Sequence, residues 1–403
     1  MPRLALQGLD PIALAARQVA RDVAATRRFP FLLERKRARM RVSPFAFLRG
    51  ALPLYTELLS RVPELGRGPD GSGWIAADLH LENFGAFRPE SFQEEDQHPR
   101  PKRRSITFGM NDFDEAVVAP FRFDVQRLLV SLLLASRELH WTGGRALALG
   151  DALLEGYCSR QVPPTPRPVR ELCERARART RRALLDARTE LHRGRRRFVR
   201  GARYVEVSGR LGRLAERAFA GYAEALAGHE RFDASAFEVE DVAFRVAGTG
   251  SLGALRLGVL TRGKGGADGA WLFDLKEEGP PVAAALGLGS KLCPAERVAT
   301  AMHACMAPVP RMLGTARLER RSLLVRRLTP QEDKLDLGGI AAADLEPLAA
   351  HLGALTAQAH ARGAGRPTPR WKRAERAALV ERAIVAAGVH ESAYLAYCRL
   401  TAG

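Results

Sequence analysis

Apolar residues recur with a helical period along most of the chain. Residues 1–60 predict helices joined by loops, and a longer helical region runs from Asp124 to about Gly228. It opens with FDVQRLLVSLLLASREL, whose apolar run is too dense for a surface helix and therefore predicts a core helix. The end of the chain returns to an amphipathic helical pattern.

Strand signals appear in two places. GSGWIAA, ENFGAF and SITFGM predict short strands, and the charged residues 88–104 predict an exposed loop between the last two. From about 236 to 330 the residue pattern changes: apolar and polar residues alternate, and β-branched residues and glycines become frequent. This pattern predicts a separate β-rich unit. The chain is therefore expected to adopt an α+β fold.

The net charge of +18 suggests a polyanionic partner, but the arginines offer a simpler account. Only seven of the 63 basic residues are lysine, as a GC-rich coding sequence would produce, and thirteen arginines lie between Arg170 and Arg203. That segment has helix formers, interspersed acids and one aromatic, Phe198, so a solvated basic helix is favoured over a nucleic-acid groove. Only weak, nonspecific nucleic-acid binding is expected.

Cysteine usage and hydropathy predict a cytoplasmic protein without a membrane span. The five cysteines are scattered and contain no C-x-x-C pair, which suggests neither a disulfide framework nor a zinc site. No stretch approaches the apolar length of a membrane helix, and the first residues lack a secretory-signal pattern.

Acidic and amide side chains cluster around the first predicted strands. Asp78 and Asn83 lie on a loop after one strand, and Asp112 ends a second strand that would pair with FGAF as a hairpin. The carboxylates should then converge. Mg²⁺ takes one or two protein oxygens beside phosphate oxygens, so Asn83, Asp112 and Asp114 are candidate metal ligands and Asp78 a candidate general base.

This order and spacing resemble the catalytic and metal-binding loops of kinases of the aminoglycoside-phosphotransferase kind. The spacing is Asp-x-x-x-x-Asn, from Asp78 to Asn83, followed after a hairpin by Asp-Phe at Asp112. The alternative is structural, because Asp, His and Asn are also common in caps and turns.

A second motif lies far downstream. Gly248, Gly250 and Gly253, with Ser251 between them, match G-x-G-x-x-G, and Lys276 follows in WLFDLKEE. A dinucleotide-binding fingerprint would open a helix, whereas here a strand follows the glycines. Strand, glycine loop, strand, turn and strand with lysine is the phosphate-covering arrangement of kinases, so these residues are candidates for nucleotide binding.

Lys276 stands out because this chain uses arginine almost everywhere else, although a surface lysine is the alternative. Glu296, on the next predicted helix, is expected to pair with it as in kinases. Glu277 and Glu278 are expected to point to the other face of the strand or to lie past its end.

Three further residues are candidates for supporting roles at this site. Asp124 is expected to brace the Asp78 loop through backbone N–H groups, with an ordinary N-cap as the alternative. Arg49 is a candidate contact to substrate or phosphate, with a structural ion pair as the alternative. His80 is expected to orient the loop and is not proposed as a base, because no nucleophile is paired with it.

The kinase-like parts occur in permuted order, since Asp78 and Asp112 precede the glycine loop and Lys276. A circularly permuted, two-lobed protein-kinase-like fold accounts for this. The predicted parts are a large lobe at 1–235 with an Arg-rich helical insertion at about 150–235, a small β-rich nucleotide-binding lobe at 236–335, and C-terminal helices at 336–403 that return to the large lobe.

Several stretches resemble the bacterial domain-of-unknown-function 2252 family, from about residue 35 to 362. They are RMRVSPFAFLRG, DLHLENFG, NDFDEAVVAPFRFDVQRLLVSL, GTGSLG, LLVRRL and AHARG. Ala77 departs from the family's usual form, in which glycine is expected before the aspartate. The resemblance implies no activity by itself.

Three functions are consistent with these residues. The first is a Mg²⁺-dependent phosphotransferase that uses ATP, or another nucleoside triphosphate, and acts on a hydroxyl of a small molecule or protein, with catalytic Asp78 and Lys276. The second is a pseudokinase-like nucleotide-binding regulatory module, and the third is a metal-dependent hydrolase using Asp78, His80, Asp112 and Asp114. The glycine loop favours the first two. The acceptor, and which group of the nucleotide is transferred, stay open.

Overall fold

A computed structural model describes residues 9–89, 106–159, 161–229, 233–310 and 312–402. The fold is α+β, as the sequence predicts. Most of the predicted charged loop at 88–104 lies outside the described residues.

Helices form most of the structure. The α-helices of the described residues are α1 Pro11–Thr26, α2 Leu33–Met40, α3 Pro44–Gly50, α4 Leu52–Arg61, α5 Arg122–Glu138, α6 Gly143–Cys158, α7 Arg167–Ala178, α8 Arg181–Asp186, α9 Gly209–His229, α10 Pro294–Cys305, α11 Leu345–Ala364 and α12 Arg373–Thr401.

The strands are short in the first half of the chain and longer in the second. They are β1 Ser72–Ile75, β2 Phe84–Phe87, β3 Thr107–Met110, β4 Val117–Pro120, β5 Thr189–His192, β6 Arg195–Phe198, β7 Tyr204–Val205, β8 Val239–Arg245, β9 Arg256–Thr261, β10 Trp271–Glu278, β11 Gly314–Leu318, β12 Arg321–Leu328 and β13 Asp333–Lys334. The largest sheet is antiparallel with the order β11-β12-β10-β9-β8-β7, and smaller sheets pair β1 with β4, β5 with β6, and β13-β2-β3.

The two faces of the six-stranded sheet differ in chemistry. Trp271, Phe273 and Leu275 alternate along β10 and are buried against α9, where the Phe219 and Phe273 ring centroids lie 4.9 Å apart. The period of two puts Lys276 and its alternate neighbours on the opposite face. One face thus supplies a large apolar core, and the other carries both a smaller apolar cluster that includes Leu272 and the charged residues Asp274, Lys276 and Glu278.

Helices α5, α6 and α11 build the core of the helical region. Helices α6 and α11 touch through glycines: a Cβ on Gly156 would lie 1.9 Å from the Ala350 carbonyl oxygen, and one on Gly353 would lie 2.0 Å from the Leu153 carbonyl oxygen. This close approach fixes α11 beside β1, which it contacts.

The helical interpretation of residues 170–203 is wrong in its second half. Helices α7 and α8 are followed by the hairpin of β5 and β6, whose two-residue turn is Arg193 and Gly194 with φ of +51° and +79°. Positive φ at both positions is typical of a type I′ turn, which matches the twist of paired strands. The hairpin packs on the six-stranded sheet through Phe198, so tertiary packing overrides the helix formers.

Gly353→Ala should destabilise the fold by about 3 kcal/mol, because the new methyl group would overlap the Leu153 backbone. Gly388→Ala in α12 is the matched control. No atom lies within 4 Å of a Cβ there, so the change should stabilise the helix by about 1 kcal/mol. Urea denaturation measures both, and equal effects of the two substitutions would contradict the close helix contact.

Candidate functional site

A cavity of about 730 Å³ lies between the six-stranded sheet and the helical region. It brings together most of the residues singled out in the sequence. Those lining it are Arg49, Asp78, His80, Asn83, Asp112, Asp114, Gly248, Gly250, Ser251 and Lys276. Asp124, Gly253 and Glu296 do not line it.

The loop that carries Asp78 is held by hydrogen bonds to Asp124 of α5. This carboxylate is fully buried on α5 and accepts hydrogen bonds from the backbone N–H groups of Ala76 at 2.7 Å and Ala77 at 2.8 Å. His360 Nε2 of α11 lies 3.1 Å from the same carboxylate, and Tyr157 lies 3.0 Å from the other ring nitrogen. These are the bracing contacts expected of Asp124, with His360 as an additional partner.

Ala77 has a left-handed backbone conformation, with φ of +61°. Side chains other than glycine are strained there because Cβ approaches the backbone. The glycine expected at this position from the family resemblance has a physical reason: the loop must reverse here to present both N–H groups to Asp124.

Asp78 is held on one side only. Arg127 Nε donates to Asp78 Oδ1 at 2.7 Å, and Arg127 itself is buried, donating to the Leu48 carbonyl at 2.9 Å and stacking 4.7 Å from the Tyr55 ring centroid. Within the described part of the chain, Asp78 Oδ2 has no hydrogen bond to protein. Burial raises the pKa of Asp78 to about 7, with Arg127 opposing and Glu115 and Asp112 adding to the rise.

His80 and Asn83 stabilise the same loop. The His80 backbone N–H donates to Asn83 Oδ1 at 2.7 Å, so a cation at Asn83 would share this oxygen with that hydrogen bond. Burial, together with Arg49 and Arg127, lowers the pKa of His80 well below its usual value. A neutral, buried imidazole is suited to positioning the loop.

Asp112, Asp114 and Lys276 form the charged centre of the cavity. Lys276 makes a close ion pair with Asp114 and lies 3.3 Å from Glu278 Oε1, while the Asp114 N–H lies 3.4 Å from Asp112 Oδ1. Burial and the neighbouring Asp114 raise the pKa of Asp112. Although burial opposes it, Lys276 lowers the pKa of Asp114.

The expected pairing of Glu296 with Lys276 is wrong. Glu296 is exposed on α10, and the buried position next to it is Arg297, which donates to the Asp114 carbonyl at 2.7 Å. Glu278 is the carboxylate beside Lys276 instead. Residues two apart on a strand share a face, so Glu278 points the same way as Lys276 and only Glu277 turns away.

The glycine loop between β8 and β9 is held closely by the N-terminal helices. Gly248 has φ of +78° and lies at the cavity, where Arg39 donates to its carbonyl. Gly253 has φ of +115°, and a Cβ there would lie 2.4 Å from the Ala25 carbonyl oxygen of α1. Gly248 and Gly250 therefore face the cavity, whereas Gly253 serves the packing of the loop on α1.

Arg49 forms the structural ion pair that was its alternative role, and its contact to substrate or phosphate stays a prediction. Its Nη1 donates to Glu82 Oε1 at 2.6 Å, which is a structural ion pair, and the side chain also lines the cavity.

The donor set fits Mg²⁺ bound together with phosphate oxygens. In the described ranges, no group of three or more His, Cys, Asp or Glu side chains is arranged to hold a metal ion. Asp112 and Asp114 offer carboxylates at one point, and Mg²⁺ commonly takes one or two carboxylates and completes its shell with water and phosphate.

A family model described as "Uncharacterized protein conserved in bacteria (DUF2252)" matches residues 28–162 and 159–399. The chain belongs to this family. Neither the curated proteins nor the solved structures contain a match to it. In this DUF2252 protein, no described helix is long and apolar enough to cross a membrane.

Sequence reasoning missed Arg127 of the DUF2252 site and assigned Glu278 the wrong direction. Arg127 follows Asp124 by three residues on α5, so helical spacing was the signal that put it near the Asp78 loop. For Glu278 the signal was the period of two along a strand, which puts it on the same face as Lys276.

Ala77→Gly should stabilise the protein by up to about 1 kcal/mol, because it relieves the left-handed strain at the cost of some unfolded-state entropy. Ala77→Val should destabilise it, since a β-branched side chain tolerates positive φ worst. Thermal unfolding of both variants tests this. Stabilisation by valine would show that residue 77 is not left-handed in solution.

Proposed function

We propose that this DUF2252 protein is an ATP- and Mg²⁺-dependent phosphotransferase acting on a hydroxyl of a small molecule or protein. The observation that carries the proposal is the convergence, in one cavity, of a braced Asp78, the Asp112 and Asp114 pair, a glycine loop and Lys276. Phosphoryl transfer depends on positioning and on charge stabilisation, and these groups can supply both.

Asp78 is the proposed general base. Arg127 fixes Oδ1 and leaves Oδ2 to accept the proton of an acceptor hydroxyl as its oxygen attacks phosphorus. A pKa of about 7 suits this role, because a base works best when its pKa lies near the working pH.

Asp112 and Asp114, with Asn83 beside them, are the proposed ligands of Mg²⁺, which would neutralise the phosphate charge when bound. Lys276 is the proposed phosphate contact. It pairs with Asp114 and Glu278 in the structure, so binding of a nucleotide requires its ammonium to exchange part of this pairing for phosphate oxygens.

Chain order supports a permuted kinase-like fold. Strand β8, the glycine loop, β9, Lys276 on β10 and then α10 follow the kinase order of glycine loop, lysine strand and helix. After β12 and the short β13 the chain reaches α11, whose His360 contacts Asp124 at the Asp78 loop. A cut before β1 would produce this arrangement. The two-lobed division at 235 and 335 stays a prediction.

The glycine loop and Lys276 favour a nucleotide over the metal-dependent hydrolase alternative. The pseudokinase alternative has the same residues but lacks turnover, so only kinetics separates it from the phosphotransferase.

Asp112→Asn should weaken Mg²⁺-dependent ATP binding at least about tenfold, because it removes a metal ligand. Asp78→Asn should keep ATP binding and lose turnover by about 10²- to 10⁴-fold, the usual contribution of a general base. Calorimetry with and without Mg²⁺ and an ATP-turnover assay measure these effects. Exposed Asp151, on α6, gives the control Asp151→Asn.

The pH profile of turnover provides a second test of the same assignment. A base must be deprotonated to act, and the raised pKa of Asp78 means that activity should rise as pH increases through about 7. Equal loss of ATP affinity in both variants would show that the two roles are wrongly divided, and wild-type turnover by Asp78→Asn would exclude it as the base.

A cytoplasmic location and weak nucleic-acid binding also stay proposals. All five cysteines are free thiols, which suits a reducing compartment. Several arginines near the hairpin are paired: Arg196 with Asp186 and Asp268, and Arg200 with Asp241. Fluorescence anisotropy should therefore show nucleic-acid affinity that falls steeply with salt, and tight sequence-selective binding at physiological salt would contradict this.

A further inference from the structure

A cluster of arginines lies on the cavity face of the sheet, next to Lys276. Asp274, two residues before Lys276 on β10, shares its face and is only 1% exposed. Arg256 of β9 binds it at 2.8 Å, Arg245 of β8 at 2.7 Å, and Arg326 of β12 lies 3.6 Å from it. Four strands thus contribute to one group, and all four residues line the cavity.

This cluster carries more positive than negative charge. Asp274 is the shared partner of all three guanidinium groups, and Glu332 lies 3.9 Å from Arg326. Three cations therefore face two carboxylates. Arg188 lines the same cavity, and its Nη1 has no hydrogen-bond partner among the described residues. Because partly buried positive charge without a counterion is costly, this end of the cavity is suited to an oxyanion.

The same part of the sheet is unsuited to a purine base, which needs an apolar slot. Gly258, paired with Asp274, is already covered: a Cβ there would lie 3.0 Å from both Phe198 and Tyr204, whose ring centroids are 4.2 Å apart. On this face of the sheet, the rings of Phe198 and Tyr204 cover the apolar surface, and the arginines around Asp274 cover the charged surface.

The distance from Lys276 to the arginine cluster along β10 matches the length of a polyphosphate. Two residues along a strand span about 7 Å, so the arginine cluster lies one or two phosphate groups beyond Lys276. Gln18, Leu52 and Pro53 of the N-terminal helices also line the cavity, and the nucleoside is assigned to their side.

We propose that Arg245, Arg256 and Arg326 bind the terminal phosphates of the donor nucleotide, so that its α-phosphate lies at Lys276 and the acid pair. This rests on the proposed function and decides which phosphorus reacts. The acceptor oxygen forms a bond to the α-phosphorus while the bond from that phosphorus to the bridging oxygen breaks. Pyrophosphate leaves with the bonding electrons on its former bridging oxygen and is bound by the arginines, and the hydroxyl proton goes to Asp78. The product is a nucleotidylated acceptor.

Binding of inorganic tripolyphosphate, which has no base, tests the arginine site. Arg326→Gln is the main variant, because Asp274 keeps Arg245 and Arg256 as partners. It should weaken binding of tripolyphosphate and ATP about tenfold in calorimetry but change AMP binding less than about twofold. Arg326→Lys should lose less, since it keeps the charge. Arg262→Gln is the matched control, an exposed arginine just past the end of β9.

Labelled ATP tests the orientation with the full chain and its own hydroxyls or water as acceptor. Label at the α-phosphorus should be transferred and pyrophosphate released. If ADP forms and label at the γ-phosphorus is transferred, the phosphotransferase proposal stands and the reversed orientation is wrong. If neither ATP nor tripolyphosphate binds, the proposed function itself fails. Unchanged tripolyphosphate affinity in both Arg326→Gln and Arg245→Gln would overturn the arginine site.

Discussion

The buried carboxylate of Asp124 is the group on which the site depends. It joins three separate pieces of chain: α5, on which it lies, the Ala76 and Ala77 backbone after β1, and His360 of α11. A buried carboxyl group is tolerated in the core when its oxygens are hydrogen-bonded, and these partners supply the bonds. These bonds hold the Asp78 loop in place, because moving it would leave the buried carboxylate without partners.

The left-handed conformation of Ala77 follows from the same constraint. Two successive N–H groups can point at one carboxylate only if the chain turns sharply between β1 and Asp78, and the turn costs about 1 to 2 kcal/mol for a residue with a Cβ. Packing of α11 on α6 through glycines keeps His360 within reach, so a contact far from the cavity contributes to the geometry of Asp78.

The acids proposed to bind metal or accept a proton and the cations proposed to bind phosphate come from different sides of the cavity. Asp78, Asp112 and Asp114 come from loops of the helical region, whereas Lys276 and the arginines around Asp274 come from the sheet. The ion pair of Lys276 with Asp114 connects the two sides. A phosphorylated ligand with its metal ion would complement this arrangement, because it presents cation to the acids and oxyanions to the sheet.

Local patterns were sufficient to locate the loop residues. The spacing of Asp78, Asn83 and Asp112 was enough to predict that they meet at the β2 and β3 hairpin. The change from a helical to an alternating residue pattern identified the β-rich unit that contains Lys276. The assignment of Glu296 failed because helical phase decides which of two adjacent residues faces inward, and here Arg297 does. The hairpin at β5 and β6 was missed because its strands are short and rich in arginine, and they gain their stability from packing Phe198 on the sheet.

The sequence by itself determined the α+β class, the order of the motifs, and most of the candidate polar residues that meet in the cavity, because these depend on composition and on near-neighbour spacing. The tertiary structure alone decided the partners: Glu278 and Asp114 for Lys276, Arg127 for Asp78, and three arginines from separate strands for Asp274. Such partners are distant in sequence, or the sequence does not show which face of a strand or helix their side chains occupy. Only the packing of the sheet against the helices brings their charges within a few ångströms, where Coulomb attraction is large enough to offset burial.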